Sequence, residues 1–336
     1  METPVKRSPG VFAMGRDSGL FRVPSLIALV VLILLAAVAS PTASDGSRIF
    51  FQLGNLTDIL RQVSLIGIIS LGMTFVILTG GIDLSVGSVL ALSTALVATA
   101  LVHGWISGPP MLQIAIAIAI AVLASGAVGA LNGLAVARLK VQPFIVTLAA
   151  MIGVRGFAKW FTGNENIDIG FGRDVAAQFA DIFREKSVVI GVYAVLALLF
   201  WMLLSRTVFG RHVRAIGDNP VASVYAGLPI LKTQLWVYAL TGLMSGLAGV
   251  LYAAENNQGN PNAGVAYELD AIAAVVIGGT KLSGGQGTVA GTIIGTLIMG
   301  VLTNILRLNN IDSNVEMMIK AVIIVLAVAV QRSRKS

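Results

Sequence analysis

The feature that most constrains this chain is a series of apolar runs, each near the length that crosses a bilayer. A spanning helix needs about 20 mainly apolar residues. Such runs occupy residues 23–39, 63–78, 85–102, 111–137 and 143–161, and again 187–205, 235–254, 269–278, 288–306 and 315–330. With 56% hydrophobic and only 12% charged residues, a water-soluble fold would need a core larger than its surface permits. Lipid removes that limit. The expected fold is an all-α integral membrane protein of about ten transmembrane helices. The run at 269–278 is short, which predicts a half-helix, a re-entrant segment, or a start nearer Val265.

Basic residues orient the spans. With the N-terminus inside, the cytoplasmic tails and loops hold Lys6, Arg7, Arg16, Arg22, Arg138, Lys140, Arg206, Arg211, Arg214, Lys232, Lys281, Arg332, Arg334 and Lys335. The long outside loop 162–186 instead carries Glu165, Asp168, Asp174, Asp181 and Glu185 against Arg173, Arg184 and Lys186. This bias predicts that both termini are cytoplasmic. It also accounts for the net charge of +7; no basic stretch is interleaved with base-stacking aromatics, so nucleic acid is not an expected partner. The expected organisation is a cytoplasmic tail over 1–22, one transmembrane domain over 23–331, and a long cytoplasmic connection within it at 206–234. The basic start, the apolar run and Ala37-Val38-Ala39 also resemble a signal peptide with its cleavage site, but a retained first span explains the same residues.

Enzyme chemistry finds little support. The chain has no cysteine and two histidines; His103 and His212 lie far apart and make no metal-ligand spacing. No nucleophile–base pair or metal cluster emerges, so neither a catalytic site nor a cofactor bound by this chain is expected.

Small residues recur at four-residue intervals: Ser125, Gly129 and Gly133; Gly242 and Gly246; Gly291 and Gly295. That spacing lets helix backbones approach closely in lipid. Two glycine-rich breaks share the pattern G-G-x-x-L-S-x-G, one from Gly80 to Gly87 and one from Gly278 to Gly285. Each follows an apolar run and precedes a span, which is compatible with an internal repeat. The second break continues into Leu282-Ser283-Gly284-Gly285-Gln286, the signature pentapeptide of ABC ATPases. That signature works beside a phosphate loop, G-x-x-x-x-G-K-[ST], and the sequence contains none. The match is read as coincidence.

Six polar residues are candidates for a translocation path. Asp83 is a carboxylate among apolar residues, costly unless functional, although it could also cap the following span. Asn132 and Asn304 fall mid-span, where an amide bonds between helices or lines a polar path. Arg155 lies toward the outer end of its span, where it could snorkel to the interface. Glu268 and Asp270 flank the short span near its outer end, where they could touch an incoming ligand or serve only as solvated loop charges.

The connection 206–234 contains Gly210, Arg211, Arg214 and Gly217, then Asn219 and Pro220, which can start a short helix that Gly227 ends. A short amphipathic helix on the basic side suits docking of a soluble partner, or of the membrane surface alone.

From about Asn55 onward the chain resembles the ribose-type permease family of ABC importers, which carry monosaccharides and related polyols. The resemblance rests on Thr79-Gly80-Gly81-Ile82-Asp83-Leu84-Ser85-Val86-Gly87-Ser88, Leu131-Asn132-Gly133, the stretch from Gln142 to Leu148, Arg155-Gly156, and the stretch from Tyr267 to Gly279. It implies a type II importer-like permease of the bacterial inner membrane and a second permease copy, identical or paired. It also implies a cytoplasmic ABC ATPase that binds ATP and magnesium, and a periplasmic sugar-binding protein. It assigns 206–234 to ATPase contact, through Gly210, Arg211, Arg214, Gly217, Asn219, Ala222 and Gly227. The region echoes the EAA motif of importer permeases around Pro220-Val221-Ala222 and Gly227, with Pro220 where that motif has glutamate. Two other readings stay open: an ion-coupled carrier acting alone through Asp83 or Glu316 with Lys320, and a branched-chain amino-acid ABC permease.

Overall fold

The structure is a computed structural model that describes residues 22–333; the expected tail 1–22 therefore lies almost wholly outside the described residues. In chain order the elements are α1 (Arg22–Ala39), a 3₁₀ turn (Ile49–Phe51), α2 (Leu53–Leu78), α3 (Val86–Val102), α4 (Pro110–Leu139), α5 (Pro143–Phe161), β1 (Ile167–Asp168), α6 (Val175–Phe183) and α7 (Lys186–Arg206). There follow α8 (Val208–Asp218), α9 (Pro220–Tyr225), α10 (Ile230–Asn256), β2 (Gln258–Gly259), α11 (Tyr267–Ile277), α12 (Val289–Leu308) and α13 (Ser313–Ser333). Every expected span falls on a helix. Among the described residues, six helices are long and apolar enough to cross a membrane: α2, α4, α5, α7, α10 and α12. The apolar helices α1 and α3 are shorter.

α2 and α3 form the centre. Nearly all residues from Val63 to Leu78 and from Val86 to Leu101 are buried, as expected for helices apolar on every side. α4, α5 and α7 keep large apolar side chains exposed, among them Leu123, Leu131, Ile152, Val195 and Leu198, the outward face that lipid allows. The closest seam joins α4 to α10. A Cβ on Gly242 would meet the Ser125 carbonyl and Gly129 Cα, and one on Gly246 would meet the Ser125 side chain. The small-residue spacing thus marks a true helix contact. The same holds for α11 against α12, where Gly291 faces the Gly278 carbonyl and Gly295 that of Ala274.

Three elements differ from the sequence expectation, and a fourth, α11, fits the short segment expected at 269–278. α2 starts at Leu53, not 63, because Asp58 and Arg61 break the apolar run yet find partners in Lys186 (2.8 Å) and Glu255 (3.1 Å). α6 forms inside the 162–186 loop, capped by Asp174, which accepts from the Ala177 amide at 2.8 Å. The 206–234 connection holds two helices, α8 and α9, where one was expected. α11 begins at Tyr267, after an irregular segment over 260–266; at eleven residues it is about 16 Å long, half a bilayer core.

The loops sort to two ends. At one, the Gly285 amide donates to the Leu78 carbonyl at 2.9 Å, and α8 abuts both glycine-rich breaks at Gly217. At the other, β1 pairs antiparallel with β2, joining the loop before α6 to the loop after α10.

Candidate functional site: two broken segments that meet inside the bundle

The chain between α10 and α11 does not stay at the end where β2 lies. It runs antiparallel beside α3: Gly259 packs on Ala98, Asn260 exchanges hydrogen bonds with Thr94, and Gly264 reaches Gly87. From Ala98 to Gly87 this follows α3 for about 16 Å. From the opposite end, the break after α2 turns at Gly80 (φ +78°) and runs without helix through residues 81–85 before α3 starts at Val86. Two interrupted segments therefore enter from opposite ends, and the first turns of α3 and α11 meet within the bundle. A Cβ on Gly87 would strike the Gly264 carbonyl and lie 2.6 Å from Glu268 Oε2. Only glycine allows this approach of backbones. Interrupted helices of this kind place partial positive charge and free backbone groups at a transport site.

Polar side chains gather at this meeting. Asp83 is buried, and its Oδ1 accepts from the Ser85 amide (2.9 Å) and hydroxyl (2.6 Å). Asn132 on α4 donates to Ser85 Oγ at 2.9 Å. On α5, Thr147 donates to the Ile82 carbonyl at 3.2 Å, and Arg155 donates to the carbonyls of Pro261 and Ala263. Arg155 and Glu268 are close enough to sense each other's charge. Tyr238 on α10 is buried and points its hydroxyl at Gly81, within reach of the Asp83 charge.

Four of the six candidates thus come together: Asp83, Asn132, Arg155 and Glu268. Asp83 does not cap α3, however. Ser85 holds the cap position, and Asp83 braces the non-helical residues before α3. Arg155 does not snorkel outward but turns in to hold the descending 260–266 segment. The other two candidates stand apart. Asn304 exchanges amide hydrogen bonds with Asn55, at 2.7 and 3.2 Å, tying α12 to α2. Asp270 accepts from Lys320 at 3.1 Å, and Lys320 also pairs with Glu316 at 2.9 Å. Arg307 reaches Glu316 at 3.3 Å, so this network joins α11, α12 and α13. Sequence reasoning missed Ser85, Thr147 and Tyr238. The shared L-S step of the glycine breaks could have flagged Ser85; nothing in the spacing of the other two would have.

At the loop end, α8 is amphipathic. Val213, Ile216 and Gly217 are buried, Phe209 stacks on Phe75, and Arg211 faces outward. Gly210 lies against the Leu203 and Leu204 carbonyls, which folds α8 back on α7. Burial lowers the pKa of Arg214, although a guanidinium stays charged at neutral pH. Asn219 caps α9 by accepting from the Ala222 amide at 2.9 Å, and Gly227 ends it at φ +70°. α9 leaves Val221, Val224 and Tyr225 exposed beside Ala222, an apolar surface suited to a partner.

Comparison with known proteins places the chain in a transport family. A family described as "Branched-chain amino acid transport system / permease component" matches residues 55–328. The ribose import permease protein of Escherichia coli K12 is 41% identical over 319 residues, covering 93% of this chain and 94% of its own. That of Bacillus subtilis 168 is 38% identical, covering 95% of each. The fructose import permease protein of Rhizobium meliloti is 35% identical over 92% of this chain and 85% of its own. No solved structure matches. By the extent of the family match and by these near-complete alignments, the chain belongs to the permease components of this transport family.

Proposed function

We propose that this chain is the membrane-spanning permease subunit of an ABC importer in the bacterial inner membrane, carrying a monosaccharide or related polyol of the ribose, xylose, galactose or inositol class. The observation that carries the reading is near-full-length similarity to permeases named for ribose, arabinose and fructose. These alignments weigh more than the broader family description, which names branched-chain amino acids.

In this reading ten spans, α1–α5, α7 and α10–α13, place both termini, α8 and α9 in the cytoplasm. The tail 1–22 precedes a permease domain over 23–331. A cytoplasmic ATPase, which holds ATP and magnesium, docks on the 206–234 connection through Arg211, Arg214, Asn219, Ala222 and the exposed face of α9. A loaded periplasmic binding protein docks at the β1–β2 end, and a second permease copy, identical or paired, completes the channel. ATP-driven movement of α8 would part the two broken segments. Asp83, Ser85, Asn132, Arg155 and Glu268 would then exchange their hydrogen bonds for those of sugar hydroxyls. A neutral polyol needs donors and acceptors but no net charge, and weak sites allow its release. Specificity then rests mainly with the binding protein.

The test is uptake of labelled sugars and of leucine into proteoliposomes, with the chain alone and with its ATPase and binding protein. The expected result is sugar uptake that needs both partners and ATP. Uptake by the chain alone, collapsing with a protonophore, would overturn the reading, and leucine uptake would move it to the amino-acid branch.

A further inference from the structure

The pentapeptide at 282–286 lacks the phosphate loop that an ATPase needs, yet it has a definite place in the fold. Lys281 donates to the Gln286 carbonyl at 2.9 Å and Gly284 to the Lys281 carbonyl at 3.0 Å, closing a tight turn. Gly284 and Gly285 both adopt left-handed backbone, at φ +87° and +76°, a conformation that glycine reaches without steric cost. The turn packs on three elements at once. Gly284 lies against Gly217 of α8 and the Gly80 amide, Gly285 lies against Asp218, and the Gly285 amide bonds the Leu78 carbonyl at the end of α2. A Cβ on Gly217 would overlap that same carbonyl and sit 2.6 Å from the Gly285 amide. Backbone meets backbone here, so no side chain can rotate to absorb a displacement.

We infer that the 282–286 turn is the seat through which α8 drives the membrane part: the end of α8, the end of α2 and this turn move as one body. This rests on the importer reading. The non-helical residues 81–85, just beyond the Gly80 contact, then form the hinge, and they carry Asp83 and Ser85 to the meeting with 260–266. α8 is also fixed to α2 by the Phe209–Phe75 stack, and α11 is fixed to α12 by the Gly278–Gly291 and Ala274–Gly295 contacts. A push on α8 therefore reaches both glycine breaks together. Gly217, Gly284 and Gly285 act as positioning residues, with no contact to sugar required of them.

The native chain has no cysteine, so a disulfide can report on this junction directly. A Cβ at position 285 would lie 3.0 Å from Asp218 Cβ, a few tenths of an ångström from the disulfide range that starts at about 3.5 Å. In the full complex, the Asp218→Cys/Gly285→Cys pair should oxidise at rates within twofold, nucleotide-free or held with a non-hydrolysable ATP analogue. A tenfold slower rate in either state would show that α8 leaves the turn during the cycle and would overturn the proposal; so would failure to oxidise in the folded chain alone. Gly217→Ala gives a second measurement for the case that the pair does not insert. It should cut sugar uptake at least tenfold while ATP hydrolysis persists and no longer responds to loaded binding protein. Normal stimulation and uptake in Gly217→Ala would equally sink the idea. Failure of the importer reading shows separately, as absence of ATP-dependent uptake by the native chain in the same vesicles.

Discussion

Lys320 is the most informative single position for stability. Its ammonium lies between two carboxylates, Asp270 at 3.1 Å and Glu316 at 2.9 Å, with side-chain exposures of 13% for Lys320 and Asp270 and 5% for Glu316. Lys320→Met keeps the length of the side chain and removes the charge, leaving two poorly solvated carboxylates facing each other. Removing one partner of a buried pair costs about 3–5 kcal/mol. Arg307 still reaches Glu316 at 3.3 Å and keeps that carboxylate partly paired, so the expected loss is near the lower bound. At about 2–4 °C per kcal/mol, Lys320→Met should lower the unfolding temperature by roughly 6–12 °C. Tryptophan fluorescence of the purified chain in micelles can follow this, since the sequence contains four tryptophans. The neutral combination Lys320→Met, Asp270→Asn and Glu316→Gln should recover most of the loss, because it removes the uncompensated charges along with the bridge. Unfolding of Lys320→Met within about 2 °C of the native chain would refute the reasoning, as would a triple variant weaker than the single one.

Three further outcomes follow from the geometry. Asp83→Asn keeps an acceptor for the Ser85 amide and hydroxyl, so partner-dependent uptake should stay within about fivefold of native, whereas an ion-coupling role predicts that it vanishes. Arg211→Glu and Gly227→Val should each reduce coupled uptake at least tenfold, about 1.4 kcal/mol, with membrane insertion unchanged; normal transport by both would remove the docking assignment. Gly242→Leu should destabilise by about 1–3 kcal/mol or more through overpacking on Ser125 and Gly129, while Gly153→Leu, which points into open space, should stay within about 0.5 kcal/mol.

The helices were legible in the sequence because each apolar run must satisfy its own backbone in lipid, and the small-residue intervals marked the closely packed faces of α4, α10 and α12 without naming their partners. Boundaries failed where charges interrupted a run but found partners across the bundle, as Asp58 and Arg61 do. The site was legible in its residue types and not in its assembly. A costly intramembrane charge is visible in one dimension, and so Asp83, Arg155 and Glu268 stood out. That Arg155 holds two carbonyls more than a hundred residues away depends on the descent of 260–266, which no local periodicity encodes. Asp270 shows the reverse: the same acidic signal, two residues from Glu268 and so on the opposite side of α11, belongs to an ion network that anchors α13.

The backbone contact between Gly87 and Gly264 has a consequence for how such a channel can diversify. A gate made of side chains must be reshaped whenever the cargo changes, because its fit is its specificity. On the proposed importer reading, two main chains close the path where no Cβ fits, and such a closure is blind to the stereochemistry of what passes. The membrane component can therefore keep its seal while selection of cargo drifts in a separate, soluble molecule. Relatives named for ribose, arabinose and fructose, at 35–41% identity over most of their length, are what one valve with an exchangeable reader would produce.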